Sequence, residues 1–427
     1  MKIGIVADLH LNKSNYKQVM DRDEFTTLPF RTADFMRSFR WITQKIITDI
    51  HPDLVVINGD IYDYYEPNNE VRGFFSRQLS LLAEQKIPVL ILLGNHDVCK
   101  RHHALNDIEQ LHLKNIKVIT QPKIFDFEKQ DKSSKIRLLL FPYSLDMERE
   151  VKTIKEEFHS FLAEIQKKDK VTYPSLFFGH FPVFNAIMNT YTIEDSNEII
   201  NIQENTVNYV NKNSKDINLQ ELDSIGAPYV FLGDLHRFQL LDTKKCIAMY
   251  SGSIEKNNFT EINQSKGFVV YDDSITSNKK MGSCTFIEYP FCRPMLELKG
   301  NLDSIKQQLN KIDISKYNNA IVKISFIGTS MEFAEYSVNI DALKKNILEL
   351  LKAIHVDCSQ PTIEDPEVKD AISKIEAEIQ KKGDMDASDV IEIVKEIITE
   401  KVSDEKERSA IIEEAMNTYK ETMQERK

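Results

Sequence analysis

Residues 89–97 read Val89-Leu-Ile-Leu-Leu-Gly94-Asn95-His96-Asp97. Five apolar residues in succession have the pattern of a short strand buried on both faces, and the glycine that stops them hands over to three metal-ligand types in a row. A polar turn alone does not call for three such side chains. Open α/β sheets gather their chemistry at the carboxyl ends of strands. This one stretch therefore predicts both the fold class and the place where function resides.

The same arrangement occurs four more times. Ile3–Ala7 runs into Asp8-Leu-His10, Leu54–Ile57 into Gly59-Asp60, and Tyr229–Leu232 into Gly233-Asp234-Leu-His236, while Leu176–Phe178 is a weaker run before Gly179-His180. Taken singly, a Gly-Asp after a strand is an ordinary turn or helix cap. The ordered set of five reads as one two-metal hydrolytic site. Such a site needs a bridging carboxylate, N and O ligands shared between two ions roughly 3.5–4 Å apart, and an open position for water and phosphate. Asp, Asn and His without Cys favour hard or borderline ions such as manganese, with magnesium as the alternative. A further His can protonate the leaving alkoxide.

Between the motifs, Ala33–Ile50 and Arg72–Gln85 are helix-like, long enough for right-handed crossovers between parallel strands. Beyond residue 240 the runs Ile247–Tyr250, Gly267–Tyr271 and Thr285–Tyr289 are short and separated by Gly, Asn, Asp and Ser. They predict partly antiparallel pairing, hence an α/β sandwich of two mixed β-sheets flanked by helices. The pattern divides the chain into residues 1–290, a small α/β unit at 291–360 and a helical tail at 361–427. In the small unit, Met295–Leu298 and Ala320–Ile327 read as strands, and Leu302–Leu309 and Ile340–Leu351 as helices. In the tail, Asp365-Pro366-Glu367 is a helix start, and Val368, Ile372, Ile375 and Ile379 recur at helical spacing.

The 427 residues carry a net charge of −11 and are 41% apolar. Residues 361–427 hold 19 acidic and 11 basic side chains, leaving 47 acidic and 44 basic for the rest. The body is therefore near neutral, and Lys100-Arg101-His102-His103 can supply a local basic face. No apolar run is long enough to span a membrane, and Asp8 interrupts the first one too early for a secretory leader, so a cytoplasmic location is expected. Five scattered cysteines without a paired spacing read as reduced thiols.

The order D-x-H, G-D, G-N-H-D, G-H and G-x-x-H resembles the calcineurin-like metallophosphoesterase superfamily. More narrowly, Tyr250-Ser-Gly-Ser-Ile-Glu255, Phe259, Lys266-Gly267-Phe268 and Arg293-Pro294 look like the SbcD-type nucleases of DNA double-strand-break repair, over about residues 1–330. The resemblance implies one metal held by Asp8, His10, Asp60 and His236, and the other by Asp60, Asn95, His180 and Asp234. It implies Asp60 as the bridge, His96 as the general acid toward the leaving 3′-oxygen, and Asp97 as the group orienting His96. It also implies a DNA exo- and endonuclease acting on duplex ends and single strands, as a homodimer, in repair or recombination. The unit at 291–360 would be a capping domain over DNA, and the tail would bind a coiled-coil ATPase of the SbcC type. The location would be the cytoplasm, at the nucleoid or, for a viral protein, that of the host. Asp234 departs from the family, which usually has His there.

Two alternatives use the same motifs: a general metallophosphatase or phosphodiesterase, and a catalytically inactive scaffold. Tyr62, Tyr64 and Tyr65 follow Asp60 and read either as base-stacking rings or as packing at the rim. His51, His102, His103, His112, His159 and His355 have no ligand partner at useful spacing and read as surface or packing residues.

Overall fold

The computed structural model describes residues 1–16, 25, 27–110, 113, 115–168, 171–184, 186–190, 207–209, 217–275 and 281–364. The chain divides between Arg293 and Pro294 into two compact units. The tail helices expected beyond residue 364 lie outside the described residues.

In the first unit, β1 (Lys2–Val6), β2 (Leu54–Asn58), β3 (Val89–Leu92) and β4 (Ile116–Ile119) lie side by side and parallel. The chain then starts a second sheet with β5 (Lys123–Glu128), β6 (Lys135–Phe141) and β7 (Ser175–His180). It leaves for a two-stranded ribbon, β8 (Ile187–Thr190) with β9 (Val207–Tyr209), and returns with β10 (Tyr229–Gly233), β11 (Gln239–Leu241) and β12 (Ile247–Tyr250). Finally β13 (Gly267–Asp272) and β14 (Cys284–Glu288) extend the first sheet beyond β1, antiparallel. The two six-stranded orders are β14-β13-β1-β2-β3-β4 and β11-β12-β10-β7-β6-β5. Both sheets mix parallel and antiparallel pairs, as the strand pattern predicts.

Side-chain alternation fixes the layers. Ile3, Ile5, Leu54, Val56, Leu90 and Leu92 meet Leu138, Leu140, Leu176, Phe178 and Phe231 of the second sheet. Val6, Val55, Ile57 and Ile91 point the other way, onto helices α1 (Phe30–Lys45) and α2 (Asn69–Glu84), where Phe35, Phe39, Phe74 and Phe75 receive them. On the far side, Phe141, Phe177, Val230 and Leu232 are covered by Phe158 and Phe161 of the helix Ile154–Lys167. The helices start where the sequence offers caps. Asn68 accepts from the Val71 amide at the head of α2, and Thr153 with Glu156 forms a capping box. Among the described residues, no helix is long and apolar enough to cross a membrane.

The second unit, from Pro294, has β16 (Ile321–Gly328) running parallel to its neighbours β15 (Met295–Gly300), β17 (His355–Cys358) and β18 (Thr362–Ile363). Helices Leu302–Lys311 and Ser330–Leu351 complete it. The second helix begins ten residues before the expected Ile340, because Thr329 and Glu332 form a capping box and Tyr336 is buried.

At the end that carries the sequence motifs, Asn58 joins the two sheets. The fully buried Asn58, last residue of β2, donates from Nδ2 to the carbonyl of Gly179 (2.9 Å) and to that of Phe231 (3.1 Å) in the second sheet. Asn58→Ala removes both inter-sheet hydrogen bonds and opens a small void. An unfolding free energy lower by about 2–4 kcal/mol, read from the denaturant midpoint at unchanged slope, is expected.

Candidate metal centre

Three of the five motifs fold as strand ends whose backbone is bent into positive φ. Asp8 (φ 51°), His10 (42°), Asp60 (53°) and Asp234 (99°) all adopt conformations that L side chains rarely take. Each costs on the order of 1–3 kcal/mol, and such outliers cluster at functional sites. Neighbouring loops hold the conformation: the Asp8 amide donates to Gly59 O (3.1 Å) and the His10 amide to Asp60 O (3.0 Å). Close approach requires glycine here. A Cβ on Gly59 would lie 2.0 Å from His180 Nδ1, and one on Gly94 would lie 2.1 Å from Asp60 Oδ1.

Asp60 lies at the middle. Its Oδ1 is 3.3 Å from His180 Nε2 and accepts the His96 amide at 3.0 Å, while Oδ2 is 3.7 Å from His10 Nε2. Asn95 Oδ1 is 3.1 Å from His180 Nε2. The rings of His96 and His236 pack edge-on against His10, at centroid distances of 5.1 and 4.8 Å. The Asp234 amide donates to Asp8 Oδ1 at 2.9 Å. The structure thus gathers Asp8, His10, Asp60, Asn95, His96, His180, Asp234 and His236 at one edge. Two groups of donor atoms, those of Asp8, Asp60 and His180 and those of His10, Asp63 and His96, each fall within 4.8 Å of one another.

The donor set fits divalent cations. His180 Nδ1 donates to the carbonyl of Asn58 (2.9 Å), a pure acceptor, so in the neutral ring Nε2 turns a lone pair toward the Asp60 and Asn95 oxygens. His10 and His236 bring their Nε2 atoms within 3.0 Å of each other, while Nδ1 of each faces a carboxylate. Asp8 Oδ2 is buried and has no hydrogen-bond partner. Lone pairs converging in this way repel unless a proton or a metal cation lies between them.

Electrostatics express the same frustration. Burial pushes the Asp8 carboxyl up to about 6, with His180 and His236 pulling the other way. Burial pushes His10 down to about 4. Burial also opposes charge on His180, but Asp60, Asp8 and Asp234 outweigh it and raise the imidazole to about 10. Burial would raise Asp60, yet His180, His10 and His96 hold it well below the usual carboxylate range. The donors thus compete for protons that bound cations would displace.

Asp97 departs from expectation. Its carboxylate accepts the amides of Gly94 (2.9 Å), Ile61 (3.0 Å) and Tyr62 (3.1 Å), clamping the loop after β2 to the loop after β3. The group that orients His96 is the Asp63 carbonyl, 2.7 Å from Nδ1. Tyr62 is fully buried and packs on Phe75, so it has no face for a base, whereas Tyr64 and Tyr65 are 44% and 39% exposed. His103 and His159 pair with Glu109 and Glu221 away from the centre, and His112 lies outside the described residues. Sequence reasoning missed Asp63 and Glu261, which stand behind His10 and His236. The D-x-x-D spacing of Asp60 and Asp63 was the available signal for the first.

Comparison with known proteins agrees with this geometry. The chain is 25% identical over 328 residues to the SbcD component of the SbcCD nuclease from Staphylococcus epidermidis, covering 75% of this chain and 77% of that protein. It is 24% identical over 324 residues to the Escherichia coli counterpart, covering 73% and 74%. The DNA double-strand break repair protein Mre11 of Archaeoglobus fulgidus is 31% identical over 117 residues, 27% of this chain and 24% of that one. The family described as calcineurin-like phosphoesterase matches residues 1–238, a stretch that closes just after His236 and contains every residue of the centre named in the sequence. With the match spanning more than half of the chain and the whole of the converging donor set, the chain belongs to the calcineurin-like phosphoesterase family.

Proposed function

We propose that this metal-dependent phosphoesterase is a two-metal DNA nuclease, the nuclease subunit of an SbcCD-like complex in double-strand-break repair or recombination. The observation that carries the reading is the set of inward-facing lone pairs around Asp60. DNA as substrate rests on the likeness to SbcD proteins, whose 328 matched residues exceed the length of the first unit.

Asp8, His10, Asp60 and His236 would hold one cation, and Asp60, Asn95, His180 and Asp234 the other, with manganese as the preferred ion. Two divalent cations there supply an acidified water and neutralise the phosphate oxygens as charge builds. The chain itself supplies the proton donor. His96 is exposed, its amide is fixed by Asp60 and its Nδ1 is tied to the Asp63 carbonyl, so Nε2 is the nitrogen directed to the leaving 3′-oxygen. Tyr64 and Tyr65 offer ring faces to unpaired bases beside it. The unit at 291–360 serves as the cap over DNA, and the tail at 361–427 engages an SbcC-type ATPase. The assembly is a homodimer in the cytoplasm.

In manganese, with the ATPase partner present, the wild type should degrade end-labelled linear duplex and EDTA should stop it. His96→Ala should lower the cleavage rate by about 10²–10⁴-fold while still binding manganese. Hydrolysis of a small phosphoester without DNA cleavage would move the reading to a general phosphodiesterase. Loss of every hydrolytic activity in the complex would move it to a scaffold. Asp234→Ala should abolish cleavage, and near-full activity would remove Asp234 from the ligands. Replacing both Tyr64 and Tyr65 with Ala should weaken binding of single-stranded DNA by about 1–3 kcal/mol per lost stack, measured by fluorescence anisotropy, with duplex affinity less affected.

A further inference from the structure

Each of the two imidazoles whose Nε2 atoms meet has a carboxylate behind its Nδ1, hydrogen-bonded at His236 and in ion-pair contact at His10. His10 Nδ1 lies 3.2 Å from Asp63 Oδ1, and Lys13 Nζ is 2.9 Å from that same oxygen. His236 Nδ1 lies 3.0 Å from Glu261 Oε1 and 3.0 Å from the Asn257 side-chain amide nitrogen, and Lys266 Nζ is 2.6 Å from Glu261 Oε2. The second pair is sealed in the protein. Glu261 and Lys266 are each 1% exposed, and Lys266 also donates to His236 O, Ser253 Oγ and Gln264 Oε1. Glu261 Oε2 takes the Asn257 amide at 2.9 Å as well. His180 is treated differently: its Nδ1 meets only the neutral carbonyl of Asn58.

A carboxylate behind an imidazole fixes the tautomer and makes the opposite nitrogen a stronger donor than a carbonyl does. Placing two extra carboxylates beside Asp8, Asp60 and Asp234 would ordinarily add repulsion. Lys13 and Lys266 offset those charges one for one, so the gain in donor strength comes without a more anionic centre.

We propose that Asp63 and Glu261, each backed by its lysine, are positioning residues that make the His10–His236 half of the centre the tighter cation half, filled before the half held by His180 and Asn95. This rests on the two-metal reading above. Neither residue touches the reacting atoms; both act through an imidazole.

The test is manganese binding to the metal-free full chain, followed by calorimetry and by the electron paramagnetic resonance signal of free manganese. The wild type should bind two ions in two separable steps. Asp63→Asn and Glu261→Gln should each weaken the tight step by about 10–100-fold and leave the weak step unchanged. Asn95→Ala should do the reverse. Unchanged tight binding in both variants, loss confined to the weak step, or two equal steps in the wild type would overturn the proposal with the two-metal reading intact. Failure of the wild type to take up two ions would instead overturn that reading. Where Glu261→Gln does not fold, Asp63→Asn, whose carboxylate is at the rim with 17% exposure, carries the same expectation.

Discussion

The amide of Asn58 holds together the two halves of the centre. Its Nδ2 reaches two carbonyls of the opposite sheet, and the backbone carbonyl of Asn58 accepts from the His180 ring. The motif residues that follow β1, β2 and β3 and those that follow β7 and β10 come from different sheets, and apolar packing between the sheets is non-directional. Hydrogen bonds from a buried amide are directional. The register between sheets is thereby fixed at the edge where small errors would separate the donors.

The fold was legible wherever a strand was buried on both faces. β1, β2, β3 and β10 are continuous apolar runs, and each ends in a motif. β5 was not legible, for a physical reason: Lys123-Ile-Phe-Asp-Phe-Glu128 is an edge strand with charged and half-exposed positions, so its pattern resembles a loop. β6 is strongly apolar but runs into Phe141-Pro142, without a ligand at its end to mark it as part of the set. In the second unit the opening turns of the helix Ser330–Leu351 present Met331 and Val338 to solvent, which blurs the apolar stripe that its later turns show.

The site was legible as a set of strand-end residues and illegible in its supports. Asp97 and Tyr62 illustrate why. Both lie close in the chain to candidate ligands, yet the tight turn after β3 sends Asp97 toward backbone amides, and the loop after β2 buries Tyr62 against α2. Adjacency in sequence says little about where a side chain points in a turn. Glu261 is the converse case: it lies 25 residues from His236 and reaches it only because β12 and the segment after it return to the same edge. Partners of that kind are set by tertiary structure, and no local pattern announces them.

The positive φ at Asp8, His10, Asp60 and Asp234 bears on how such a centre can change over generations. Aspartate, asparagine and histidine are the non-glycine residues that tolerate this backbone best, and they are also oxygen and nitrogen donors. Exchange among the three keeps the loop and retunes only the ligand. Asp234, where the resemblance places histidine, would be an exchange of this kind under the proposed ligand role. A β-branched residue at any of these four positions would strain the backbone whatever its chemistry.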